Sequence, residues 1–207
     1  MDTVARGLKV SQRRVLIPRD DERPVVLFLK QPLYSREMFT VAGNQTVPFF
    51  VVPVATIIGA GTSLVSNLIL SNQIPFPSSF DVFGFSIVLQ QGMPEADIVN
   101  YFNFAYFEFA ISKKPFLQLP AAKIPAGCGL TGLAAVSNPA ILVPIFQAQN
   151  GVPSPMATWP MDINGLSIYL PAQQDFTCTI QTFSAVPFSA VFFASVYMEG
   201  ILSTPVM

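Results

Sequence analysis

Few residues in this chain are equipped for chemistry. It contains no histidine. That removes the most frequent general base and metal ligand, and every nucleophile that works as a Ser–His or Cys–His pair. Two cysteines, Cys128 and Cys178, are too few for a disulfide framework and lack the spacing of a zinc site. Cys128 sits in the glycine-rich stretch PAGCGLTG at 125–132. A thiolate there needs a neighbouring base and has no imidazole to call on. Both cysteines read as small core residues. The stretch GAGTS at 59–63 is also glycine-rich, but it lacks the GK[ST] ending of a phosphate-binding loop. Seven acids lie beyond residue 37: Asp81, Glu95, Asp97, Glu108, Asp162, Asp175 and Glu199. No two of them form a recognisable catalytic pair. Glu108, set among aromatics, is expected to pair with Lys113 or Lys114 across a turn. Trp159 in ATWP reads as a loop anchor, with sugar binding as its other use. An enzyme is therefore the weakest reading, and no cofactor or metal is expected.

What the chain has in place of chemistry is apolar surface. Hydrophobic residues make up 51% of its 207 residues and charged residues 11%, against roughly 25% charged in an ordinary soluble domain. A monomer with so little charge must cover itself with Ser, Thr, Asn and Gln, or bury surface against other subunits or lipid. The excess is densest at Tyr101–Ile111, where YFNFAYFEFAI holds six aromatics and one charge. Such a segment suits an enzyme core, a lipid-facing element or a subunit interface, and the composition favours the interface.

The elements that carry this surface are short. Nineteen prolines punctuate runs rich in Phe, Val and Ile. Proline ends helices and is kept out of central strands, so many short strands with frequent turns are expected. Strands are predicted at 25–30, 47–52, 54–58, 64–70, 81–90, 104–111, 140–146, 166–170, 175–183 and 190–198. Alternation is clearest in DFTCTIQ, where Phe176, Cys178 and Ile180 point one way. One helix is predicted over MPEADIVNYF. Pro94 opens it, Glu95 and Asp97 suit the positive end of its dipole, and Ile98, Tyr101 and Phe102 share a face. Segment 104–111 is apolar on both faces, with Phe104 and Tyr106 on one and Phe107 and Phe109 on the other. A strand of that kind is expected to be covered on both sides. The fold class is therefore all-β: an antiparallel β-sandwich of jelly-roll type with one short helix.

Charge divides the chain. Eight of its eleven basic residues fall within residues 1–37. Residues 1–24 read as a basic N-terminal arm, extended or partly disordered, and residues 25–207 as a single sandwich domain. Arg6, Lys9, Arg13, Arg14 and Arg19 are the arm's candidates for non-specific contact with nucleic acid or an internal membrane. Asp20, Asp21 and Glu22 interrupt it. The N-terminus has no apolar stretch of the secretory kind, so synthesis and assembly in a reducing cytoplasm are expected. Residues 49–70 are apolar and uncharged for a length that spans a bilayer. Pro53, Gly59, Gly61 and several hydroxyl residues break that run, and two strands joined by a glycine-rich turn explain it better.

Three stretches resemble the jelly-roll structural proteins of phage and other non-enveloped virus particles: IPFPSSFDVFGFSIVLQQ at 74–91, FEFAISKKPFLQLPAAKIPAGCGL at 107–130, and GLSIYLPAQQDFTCTIQTF with VYMEGILSTPV within 165–206. The resemblance implies a virion coat or minor capsid protein, assembled in the host cytoplasm, that self-associates and meets other virion proteins. It supplies no catalytic residues. Phe102, Phe104, Tyr106, Phe107 and Phe109 are the expected core and interface residues. Two other readings stand beside it. One is a receptor- or carbohydrate-binding sandwich of a spike or fibre, using Trp159, Tyr169 or Tyr34. The other is a membrane-associated virion protein using residues 49–70.

Overall fold

The computed structural model describes residues 25–53, 66–90, 92–124, 130–136, 145–150, 158–161 and 167–206. The predicted strand at 54–58, most of that at 140–146, and the basic arm lie outside them. The elements run β1 (Val25–Lys30), β2 (Leu33–Phe39), β3 (Asn44–Phe49), β4 (Ser79–Leu89), α1 (Glu95–Phe104), β5 (Ala105–Ile111), β6 (Lys114–Pro120), a 3₁₀ turn (Ala121–Lys123), β7 (Leu130–Val136), β8 (Ile145–Asn150), β9 (Trp159–Pro160), β10 (Ile168–Leu170), β11 (Phe176–Phe183) and β12 (Phe192–Val206).

Two antiparallel sheets pack as a sandwich. One has the order β1–β12–β4–β10, with β2 also on β12 and β9 also on β4. The other has the order β3–β11–β5–β6, while β7 and β8 pair with each other. The long strand β12 serves two partners along one edge: β2 lies against 192–198 and β1 against 201–206.

Alternation builds the core as expected. On β11, Phe176, Cys178 and Ile180 are buried, and on β12 Phe192, Ala194, Val196 and Met198. A bulge between Glu199 and Gly200 shifts the register against β4. A side chain at Gly200 would collide with the Asp81 carbonyl and the Phe80 ring, so only glycine fits this close approach. Between the sheets, the Phe85 ring of β4 lies 5.3 Å from Phe107 and 4.9 Å from Phe109 of β5.

Helix α1 closes one end of the sandwich. Pro94 stands just outside it as the N-cap. Tyr101 is fully buried, with Ile98 and Phe102 packed against the core. The Tyr101 ring meets Phe39 at 6.0 Å and Phe192 at 6.1 Å, edge to face, while those two stack at 4.9 Å. The loop after β11 is tied to the helix. Asp97 accepts hydrogen bonds from the Ser189 backbone and hydroxyl, and Asn100 donates to the Val186 carbonyl at 3.0 Å. Asp97 therefore holds a loop as well as standing in the first helical turn.

The buried hydroxyl of Tyr101 has no hydrogen-bond partner among the described residues. Burial pushes its pKa far above the ordinary phenol value, so it stays protonated. A buried polar group without a partner costs on the order of 1 kcal/mol or more. Tyr101→Phe keeps the ring and is expected to raise the melting temperature by about 2–4 °C, the shift that ~1 kcal/mol produces in a chain of this size. A thermal melt checks this, and a clear loss of stability contradicts it.

The elements differ from the sequence reading in several places: β6 and β7 are strands where none was predicted, β3 begins and ends three residues early, and β12 runs on to Val206. Strand β5 starts at Ala105, because the helix continues through Phe104. Segment 64–70 is not a strand over its described part, where Ser66 and Leu70 make only isolated bridges. Strand β2 was not predicted: its inward positions Leu33, Ser35, Glu37 and Phe39 alternate in space, but Ser and Glu hide the pattern in sequence.

Candidate functional site

The five aromatics proposed for core and interface part company. Phe107 and Phe109 point between the sheets and are fully buried. Tyr106, on the opposite face, is half-buried. Phe102 is half-buried against the core. Phe104, at the helix end, is 45% exposed, so it is not a core residue. The outer face of β5 is not sealed in the way a doubly apolar strand suggested. The helix meets the core through Tyr101, against Phe39 of β2 and Phe192 of β12. On β5, Glu108 accepts a hydrogen bond from Gln118 directly across the sheet at 2.9 Å, which corrects the expected pairing with Lys113 or Lys114.

Among the described side chains, β1 exposes apolar groups on both faces. Leu27 is 45%, Phe28 41% and Leu29 38% exposed. Alternation puts Leu27 and Leu29 on one face and Phe28 on the other. Strand β1 lies outermost in its sheet, and β12 is its partner among the described residues. Its single charge is Lys30, at its end. Such an edge is open to pairing with another strand. The edges of the second sheet are built otherwise: Pro48 lies in β3, and Pro115 and Pro120 in β6. Proline has no N–H to donate and blunts an edge. Met38, on the neighbouring β2, is also exposed.

Sequence reasoning marked 25–30 as a strand but gave it no role. The signal was available: VVLFLK is apolar at both parities, the property singled out at 104–111. Next to it, the outer face of the first sheet carries Tyr34 against Tyr197 at 5.9 Å, and the Arg36 guanidinium 4.6 Å above the Phe193 ring.

Two carboxylates in this sheet are shifted. Burial raises the pKa of Glu37 above the ordinary carboxylate value, and a 3.0 Å hydrogen bond from the Ser35 hydroxyl partly offsets it. Burial also raises Glu199, with Lys30 opposing. The folded state thus holds protons that the unfolded chain releases. Their contribution is greatest below the ordinary carboxylate pKa and is lost as pH rises through the raised values. Glu37→Gln is expected to reduce the fall in melting temperature between about pH 4 and pH 7. Melts of both chains at the two pH values check this, and an unchanged difference contradicts it.

The remaining candidates do not gather into a site. Trp159 packs against the core from β9, Tyr169 is exposed on β10, and Tyr34 lies on the far side of β12 from both. Cys178 is buried and its thiol is pushed well above the ordinary range, which suits a packing role. Cys128, the 59–63 stretch and the arm residues Arg6, Lys9, Arg13, Arg14 and Arg19 lie outside the described residues. Among the described residues there is no cluster of three or more metal-ligating side chains, and no helix long and apolar enough to cross a membrane. Comparison with protein-family models, curated proteins and solved structures gives no match.

Proposed function

We propose that this chain is a virion structural protein, a coat or minor capsid component, that works by self-association and not by catalysis. The observation that carries the reading is β1, an edge strand with apolar side chains exposed on both faces. Its partner is a second copy of the same strand. Antiparallel pairing centred on Phe28 sets Phe28 opposite Phe28 of the other copy, Leu27 opposite Leu29, and Lys30 opposite Val26. Both charges then stand at the ends and apolar groups meet in the middle. Low overall charge and 12% aromatics suit the apolar interfaces of obligate assemblies, which bury on the order of 2,000 Å² or more.

The strand order supports a jelly roll as the finer form of the sandwich. The pairs β1–β12, β3–β11, β4–β10 and β5–β6 are nested, each inside the last in sequence. They describe one long hairpin. Rolling it up brings β12 beside β4 and β11 beside β5, and both of these pairings are present. Jelly rolls are built this way and recur in viral capsids. In this reading the basic segment 1–24 meets packaged nucleic acid or an internal membrane by charge, and other virion proteins are the remaining partners. The particle is assembled in the host cytoplasm. Electron microscopy of the purified full-length chain tests the reading. Rings, trimers or shells are expected, and a field of single 22.5 kDa particles contradicts it.

A further inference from the structure

The end of the sandwich away from the helix carries an unusual backbone. Five non-glycine residues have positive φ among those described: Phe50 (63°), Asn72 (55°), Ser112 (47°), Lys113 (67°) and Gln173 (60°). Left-handed backbone is uncommon outside glycine and concentrates where side chains are held for a purpose. All five converge on one place. The Asn72 N–H donates to the Phe50 carbonyl at 2.9 Å, and the Phe176 N–H to the Asn72 carbonyl at 3.0 Å. The Ser112 N–H donates to the Asp175 carbonyl at 3.0 Å, and the Gln173 N–H to the Ile74 carbonyl at 2.8 Å. Three connections, β3–β4, β5–β6 and β10–β11, thus meet around a pocket of about 450 Å³, with Ser71, Asn72, Ser112, Lys113, Asp175 and Thr177 among its lining.

The β5–β6 turn is the informative part. A two-residue hairpin with positive φ at both central positions favours Asn-Gly, which adopts it at least cost. This chain places Ser112 and Lys113 there. Ser112 has a structural use, since its hydroxyl oxygen accepts a hydrogen bond from the Gln174 amide. Lys113 has none: it is exposed and makes no hydrogen bond or ion pair among the described residues. The strained position that would best suit glycine instead carries a free ammonium beside a pocket.

We infer that this pocket binds a neutral polyhydroxylated ligand, one sugar residue of a glycan. Its polar groups are mixed in sign. The Lys113 ammonium donates, and the Asp175 carboxylate accepts. One Asp175 oxygen takes a hydrogen bond from Gln73, leaving the other for the pocket. Ser71, Ser112 and Thr177 offer hydroxyls that donate and accept. An inorganic anion gains Lys113 but faces Asp175, and a cation meets the reverse. A neutral ring with several hydroxyls uses both. The volume falls within the range of small-molecule sites. The site lies on residues other than Trp159, Tyr169 and Tyr34, and it does not depend on how the chain assembles.

The test uses the full-length protein and saturation-transfer NMR with glucose, galactose, mannose, fucose and N-acetylglucosamine at millimolar concentration. At least one sugar is expected to bind. Lys113→Gly is expected to raise the melting temperature, because it relieves the turn, and to weaken that binding at least ten-fold. Asp175→Asn is expected to weaken it similarly. The inference is overturned if no sugar of the panel binds, if binding survives both substitutions, or if inorganic phosphate competes with the affinity of the best sugar.

Discussion

A chain carrying Leu27→Glu together with Phe28→Glu is expected to remain folded and to lose its self-association. These side chains are about two-fifths exposed in the single chain. Fully burying a leucine or phenylalanine is worth about 2 kcal/mol, so covering the exposed remainder contributes ~1 kcal/mol for each residue in each copy. The substitutions remove that gain. In antiparallel pairing of two β1 strands they also set acid opposite acid, and like charges directly opposite are destabilising. Burying unpaired charge adds several kcal/mol more. Association is expected to weaken by at least about a hundred-fold, the equivalent of ~3 kcal/mol. The melting temperature of the separated chain is expected to change little, since exposed positions away from special features tolerate substitution. Sedimentation of parent and variant at equal concentration reads the outcome. A variant that assembles as the parent does removes β1 from the account.

Phe107→Ala is expected to cost about 3–5 kcal/mol, the usual range for deleting a buried phenylalanine ring. Phe107 is fully buried and its ring lies 5.3 Å from that of Phe85 on the facing sheet. Truncation therefore leaves a cavity at the centre of the sandwich. A loss of this size lowers the melting temperature by about 10 °C or more in a chain of this length. Tyr106→Ala, one residue away on the opposite face, is expected to stay within ~1 kcal/mol of the parent, because a half-buried residue loses less contact. Thermal melts of the two variants compare the faces directly. Equal losses contradict the assignment of Phe107 to the core and Tyr106 to the outer face.

Much of the sandwich is readable in sequence because burial on one side of a sheet writes itself as alternation. Phe176, Cys178 and Ile180 show it plainly, and β11 lies where they place it. The helix is equally visible, with Pro94 at its start and Ile98, Tyr101 and Phe102 along one side. Strand β2 is hidden because its inward row includes Ser35 and Glu37, which local structure satisfies. The Ser35 hydroxyl accepts from the Phe50 N–H at 2.9 Å and donates to Glu37.

The aromatic segment 101–111 shows a different limit. Its excess comes from two elements that abut at Phe104 and Ala105, each with its own buried face. Read as one strand from 104, it seemed to need a cover on both sides. Read as a helix end followed by β5, it needs only one. Among the described residues the strand left uncovered is β1, and apolarity alone could not separate the two cases. The polar pocket was not legible at all. It is assembled from Ser71, Ser112 and Asp175, on three connections far apart in sequence.

The most direct test of self-association is light scattering on the purified full-length chain across a micromolar concentration series. The account expects a mass several times 22.5 kDa that falls on dilution or on Leu27→Glu with Phe28→Glu. A monodisperse monomer throughout the series contradicts it.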